Sequence, residues 1–267
     1  MATTSASAGI QGRMAPCRQR EAGFRLRAYA CQMASTAVFF LMAMAVSPAL
    51  WLLFRLSAGT LPPRAGQRLL RRGFRAYTRC MRITGSLDLQ VEGLEALQEA
   101  RGTIFVANHP ALLDAVILLS RLPPAACVMR ASLRRNPALA GGALAAGYVT
   151  NDSGPAFVRQ GLAKIAAGEN LLIFPEGTRT VCRPVNRFKN GFALVAARSG
   201  APVQAVLIDY RGTHLRKGVP LLATAQIPLR FAIRAGREFR PLPGESAPDF
   251  SARIERWFRA SLEARDV

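Results

Sequence analysis

The feature that most restricts the fold of this chain is a regular alternation of short apolar segments with helical segments after residue 86. The predicted strands are Leu87–Val91, Thr103–Ala107, Cys127–Arg130, Asn170–Phe174, Val203–Asp209 and Leu229–Ala235. The predicted helices are Leu94–Ala100, Ala111–Arg121, Ala156–Ala167, Phe188–Ser199 and Ser251–Ala264. Such alternation predicts an α/β fold with a largely parallel central sheet flanked by helices.

The region before residue 86 has a different pattern. Residues 1–27 form a basic arm that we expect to be partly disordered, and no charge occurs from Ala28 to Phe54. As a helix, this apolar run would be about 40 Å long, against ~30 Å for the hydrocarbon core of a bilayer. Both flanks of the apolar run are rich in arginine, and Pro48 interrupts it. The run therefore either spans the membrane once or enters the membrane and returns to the same side near Pro48. A cleaved signal peptide is disfavoured because the run is too long.

Gly66 to Arg82 has the pattern of a basic amphipathic helix. Its apolar side would carry Leu69, Leu70, Gly73, Phe74 and Tyr77. A helix of this kind lies on an anionic bilayer surface or packs on the neighbouring domain, and the two arrangements can coexist.

The composition limits the partners. The formal net charge is +20, which favours binding to nucleic acid, anionic lipid or phosphorylated substrates. Aromatic residues make up only 7% of the chain and cluster in apolar segments, so the aromatic platforms of nucleic-acid binders are missing and no nucleic acid is expected. The five cysteines form no CxxC pair or zinc-type spacing, and we expect no metal site.

A first candidate site is the turn Asn108-His109-Pro110, which follows a predicted strand directly. Residues at the carboxyl end of a strand line the ligand sites of α/β folds. Asp114 lies at the start of the next helix, where its carboxylate can accept a hydrogen bond from one imidazole nitrogen. The other nitrogen would then be free to remove a proton from a hydroxyl. Alternatively, Asp114 merely interacts with the helix dipole.

A second candidate site is the turn Pro175-Glu176-Gly177-Thr178-Arg179, which follows another apolar strand. Glycine at 177 permits a positive φ or a close backbone approach, and Thr178 and Arg179 offer a hydroxyl and a guanidinium to a phosphate. The alternative is a basic surface loop in which Arg179 pairs with Glu176. The other histidine of the chain, His214, has no matching acid, and we expect it in a surface or membrane-facing loop.

Together, the NHxxxxD turn at 108–114 and the FPEGTR sequence at 174–179 resemble the two signature motifs of the PlsC-like glycerolipid acyltransferase family. The resemblance covers about Leu87 to Ile208. It implies transfer of a fatty acyl group from acyl-CoA or acyl carrier protein, as co-substrate, to a lipid hydroxyl, with no cofactor. The segments that begin at Arg130 and Ala201 resemble further parts of the family pattern.

The resemblance also implies roles for individual residues. His109 would be the general base and Asp114 its orienting partner. The acceptor would be held by Glu176, Gly177, Thr178 and Arg179, with Arg179 on its phosphate. Asn108 and Arg130 are two further candidates. Backbone N–H groups near Asn108 or Gly177 are candidate donors to the oxyanion of the tetrahedral intermediate.

The resemblance divides the chain into a basic arm (1–27), a membrane anchor with the amphipathic helix (28–85) and an acyltransferase domain (86–267). We expect the chain at the cell inner membrane, with this domain facing the cytoplasm and acting on bilayer lipids. The acceptor would be lysophosphatidate or a related lysophospholipid. Because Thr150 and Ala205 depart from the family pattern, an ornithine lipid, glycolipid or polyene lipid is the alternative. A basic membrane-binding module without catalysis is the alternative from another class.

Overall fold

The computed structural model describes residues 62–151, 154–220 and 227–264, with isolated positions between 30 and 56. The predicted basic arm and most of the predicted membrane anchor therefore lie outside the described residues. Among the helices that are described, none is both long enough and apolar enough to cross a membrane.

Strands and helices alternate from residue 62 onward. The helices are α1 (Pro63–Ile83), α2 (Asp114–Arg121), α3 (Pro137–Ala145), α4 (Gly154–Ala166), α5 (Gly191–Ser199) and α6 (Ala247–Glu263). The strands are β1 (Leu87–Glu92), β2 (Ile104–Ala107), β3 (Ala125–Met129), β4 (Val149–Thr150), β5 (Asn170–Ile173), β6 (Val203–Arg211) and β7 (Leu229–Phe239). Short 3₁₀ helices occupy Leu94–Leu97 and Ala131–Arg135.

The strands form one sheet in the order β1-β7-β6-β2-β5-β3-β4. Every neighbouring pair is parallel except β6 and β7, which run antiparallel. Both faces are covered, since Phe105 and Leu172 belong to one hydrophobic core and Ile104 and Leu171 to the other. Burial on both faces explains why β2 and β5 are continuous apolar runs. The predicted α/β fold with a largely parallel sheet is confirmed.

Several predicted elements have different bounds. The expected helix Leu94–Ala100 is only a 3₁₀ helix, and α2 begins at Asp114 instead of Ala111. Helix α3 and strand β4 were not predicted, because the sequence of α3 is apolar on all sides and contains two glycines, which removes the helical periodicity. Helix α6 begins earlier than expected, since the Ser246 side chain accepts a hydrogen bond from the Asp249 N–H.

Helix α1 is the predicted amphipathic helix, and it packs on the domain. Its buried residues include Gly66, Tyr77 and Met81, whereas Leu69, predicted on the same apolar side as Tyr77, is 43% exposed. Two of its arginines bind carbonyls at the ends of other helices. Arg64 donates to the Gly168 carbonyl after α4 at 2.7 Å, and Arg75 donates to a carbonyl of α2. Part of the positive charge of α1 therefore attaches the helix to the domain.

Candidate active site

The two predicted motif turns meet at one edge of the sheet because the strands before them are neighbours. β2 and β5 are parallel, with Ile104 opposite Leu171 and Val106 opposite Ile173. Both strands therefore end at the same level, and the turns that follow, 108–113 and 174–180, emerge side by side. Ligand sites of open α/β sheets lie at this carboxyl edge.

His109 and Asp114 form a hydrogen-bonded pair at this edge. Nδ1 of His109 lies 2.8 Å from Oδ2 of Asp114, and the same oxygen accepts from the Ala111 N–H at 2.7 Å. The imidazole is 20% exposed and stacks on the Phe174 ring, with 4.3 Å between centroids. Complete burial raises the pKa of Asp114, while the hydrogen bond from His109 opposes this effect. This geometry engages Nδ1 and holds the imidazole, so Nε2 is the nitrogen available to a substrate.

Glu176 joins the second turn to the first. Its side chain is 4% exposed, and Oε1 accepts from the His109 N–H and from the Thr180 hydroxyl, both at 2.8 Å. Oε2 accepts from the Asn186 N–H at 2.8 Å. Burial raises the pKa of Glu176, and these three hydrogen bonds oppose the rise. The carboxylate therefore binds the backbone that carries His109, and it forms no pair with Arg179.

Arg179 also binds the protein itself. Its Nη1 donates to the carbonyls of Leu215 and Arg216, each at 2.9 Å, and so attaches the segment after β6 to the site. The positive charge of Arg179 lowers the pKa of Asp114, against the larger effect of burial. Thr178 lies half-buried in the same turn.

The two further candidates lie on either side of these turns. The Asn108 side chain exchanges two hydrogen bonds of 2.8 Å with the backbone of Ile208, which extends the pairing of β2 with β6. Arg130 donates from Nη2 to the Gly177 carbonyl at 3.2 Å. Gly177 has the positive φ that the sequence suggested, +67°. Its N–H donates to the Phe174 carbonyl, so the Gly177 N–H is not a donor to an oxyanion in this arrangement.

Comparisons with known proteins relate this chain to lipid acyltransferases. Residues 88–209 match the family model described as Acyltransferase. This segment, which holds both motif turns, is thus similar to acyltransferase domains. A curated relative, the lyso-ornithine lipid O-acyltransferase of Pseudomonas aeruginosa, is 33% identical over 128 residues. That match covers 44% of this chain and 45% of the relative, so the chain spans less than half of that protein.

A solved structure shares the fold of this chain. The 1-acyl-sn-glycerophosphate (LPA) acyltransferase PlsC from Thermotoga maritima matches with a TM-score of 0.67 at 22% identity. The match covers 90% of this chain and 97% of the PlsC chain. At this identity, the likeness demonstrates a common fold.

Sequence reasoning missed some of the groups that surround the candidate site. Phe174 was assigned only to a strand, and Asn186 carried no motif at all, yet both fix the turns. His214 was expected in an exposed loop, but it is 5% exposed, and burial lowers its pKa. Its neighbour Leu215 is held both by Arg179 and by the Leu112 N–H, which draws this segment into the protein. Only the folded backbone brings residues 186 and 215 to the site.

Proposed function

We propose that this chain is an O-acyltransferase that moves a fatty acyl group from acyl-CoA or acyl carrier protein to the hydroxyl of a lyso-lipid. The observation that carries the proposal is the His109–Asp114 hydrogen bond at the sheet edge, held against the FPEGTR turn through Glu176. A non-catalytic membrane-binding module has no need of a buried carboxylate behind a partly exposed imidazole.

In the proposed reaction, Nε2 of His109 removes the proton of the acceptor hydroxyl while its oxygen attacks the thioester carbonyl. The Asp114 carboxylate stabilises the imidazolium that forms. The tetrahedral intermediate then collapses, the carbon–sulfur bond breaks, and the proton passes from the imidazolium to the departing thiolate. No covalent enzyme intermediate is needed, because the thioester is already activated and the site holds the two reactants together.

The acceptor that we favour is lysophosphatidate or a related lysophospholipid. The fold shared with an LPA acyltransferase and the basic residues around the second turn support this choice. A lyso-ornithine lipid is the second candidate, because the P. aeruginosa relative is named for that acceptor. Both acceptors offer a hydroxyl to the same base and carry an anionic group.

We further propose that the chain acts at the inner membrane, with this domain facing the cytoplasm. The outward side of α1 supports a lipid surface as partner. It exposes the apolar side chains Leu69 and Ile83 beside exposed arginines, namely Arg68, Arg72, Arg79 and Arg82. Arginines next to apolar side chains suit an anionic bilayer interface.

The test is acyl transfer by membranes that contain the full chain, with labelled acyl-CoA and acyl carrier protein as donors and a panel of lyso-lipids as acceptors. His109→Ala should abolish transfer while the melting temperature and membrane association stay unchanged. His214→Gln is the matched control, because it replaces the other histidine of the chain. The folded fraction of this variant should retain acyl transfer. Substantial activity in His109→Ala would refute the proposed base.

A further inference from the structure

Arg179, the arginine of the second turn, already has hydrogen-bond partners within the protein. One nitrogen of Arg179 is bound to the carbonyls of Leu215 and Arg216. Its charge lies near the buried carboxyl of Asp114, whose pKa it lowers. Arg179 therefore already serves the dyad and the segment after β6.

Lys189 is held in a position that delivers its side chain onto the second turn. Its N–H donates to the Pro175 carbonyl at 2.8 Å, and the preceding residue, Phe188, is buried and donates its own N–H to Glu255. Helix α5 begins two residues later, at Gly191. The backbone of Lys189 is thus fixed on both sides, although its side chain is exposed.

The Lys189 side chain lies directly over Gly177. A Cβ added to Gly177 would lie 2.9 Å from both Cε and Nζ of Lys189. Such a separation is well inside van der Waals contact, so only glycine lets the lysine lie there. This requirement is independent of the positive φ of Gly177.

A second cation reaches the same residue, since Arg130 donates to the Gly177 carbonyl. Among the residues that the structure describes, no ion pair involves Arg130 or Lys189. The neighbouring carboxylate of Glu176 is turned inward to its three hydrogen-bond donors. Two positive charges without an ion-pair partner among the described residues therefore lie at Gly177. The residue before it is Glu176, whose carboxylate binds the His109 N–H.

We propose that Lys189, together with Arg130, binds the anionic group of the acceptor and makes the site select anionic over uncharged acceptors. The inference rests on the proposed function. It assigns the anion to the acceptor because a lysophospholipid such as lysophosphatidate carries its phosphate close to the reacting hydroxyl. The phosphates of acyl-CoA or acyl carrier protein are separated from the thioester by the whole pantetheine arm.

The experiment compares full-length wild type, Lys189→Ala and Lys189→Arg in detergent, with 1-acylglycerol-3-phosphate, lyso-ornithine lipid and monoacylglycerol as acceptors. For whichever anionic acceptor the wild type acylates, Lys189→Ala should raise KM about tenfold, because a charge-assisted hydrogen bond to the bound anion is lost. The kcat of this variant should stay within about twofold of the wild-type value. KM for acyl-CoA and any activity on monoacylglycerol should not change. Lys189→Arg, which keeps the charge, should restore KM to within about threefold of wild type.

Lys217→Ala is the matched control, since Lys217 is an exposed lysine in the segment after β6 and its loss changes the net charge equally. It should behave as wild type. The inference would be overturned if Lys189→Ala left the KM for the acceptor unchanged. It would also be overturned if Lys217→Ala raised that KM equally, or if Lys189→Ala raised only the KM for the acyl donor. The proposed function fails separately, if His109→Ala keeps its activity or if wild type acylates none of these acceptors.

Discussion

Replacing Glu176 by alanine should destabilise the folded chain by roughly 3–5 kcal/mol. The carboxylate accepts hydrogen bonds from three groups, the N–H of His109, the hydroxyl of Thr180 and the N–H of Asn186. A buried donor left without an acceptor costs about 1–3 kcal/mol. The expected total is less than three times the largest of these costs, because Thr180 and Asn186 are only half-buried and water can reach them.

Glutamine at the same position should be milder, at about 1–3 kcal/mol. The amide oxygen can accept the two hydrogen bonds made at Oε1, but the amide NH₂ would then face the Asn186 N–H, another donor. Both variants should also lower kcat, because the backbone that positions the His109 imidazole is released. A displacement of about 1 Å at a catalytic group can reduce the rate roughly a hundredfold.

The assay is thermal unfolding of the purified full chain, with acyl transfer measured below the melting temperature. A loss of 3–5 kcal/mol corresponds to a fall in Tm of roughly 6–20 °C for a chain of this size. Glu238→Ala is the control, since that glutamate is exposed and pairs with Arg240 at the surface. A Glu176→Ala protein that melts and reacts like the Glu238→Ala protein would refute the structural role given to Glu176.

Two further predictions concern the dyad and the packing of α1. Asp114→Asn should reduce kcat by at least about a hundredfold, measured by acyl transfer, because the imidazolium loses its charged partner. Burial raises the pKa of Asp114 above 3.8, so the wild-type protein should lose stability as the pH rises through the raised pKa. Unfolding of the asparagine variant, measured over the same pH range, should lack this decline. Identical pH profiles of the two proteins would contradict the raised pKa. In urea unfolding, Gly66→Ala should destabilise the folded chain by about 1–3 kcal/mol, since the added Cβ would lie 2.2 Å from the Ala145 carbonyl oxygen. Gly73→Ala should stabilise the folded chain by about 0.5–1 kcal/mol, since its added Cβ would have no neighbour from another part of the described chain within 4 Å and alanine favours the helix. Equal effects of the two glycine substitutions would argue against close packing of α1 on α3.

The sequence predicted the fold well where the hydrophobic pattern was strong. Strands such as β2 and β5 are buried on both faces, so they appear as uninterrupted apolar runs, and the turns after them carry residues typical of a ligand edge. The pattern failed at α3, where apolar residues and glycines surround the helix on all sides. The pattern also placed Leu69 and Tyr77 on one side of α1, yet Tyr77 is buried and Leu69 is exposed, because contacts with α2 and α3 decide which side chains are buried.

The sequence by itself determined the chemistry available at the site: a histidine with an acid at the start of the next helix, and a basic turn with a glycine after a second strand. Hydrophobic periodicity and motif spacing are local properties, and they are readable without the fold. Tertiary structure alone decided how the polar groups are shared. It turned Glu176 toward the His109 backbone, bound Arg179 to the carbonyls of residues 215 and 216, and buried His214. Hydrogen-bond partners distant in sequence are chosen by which strands lie side by side, and no local pattern records that choice.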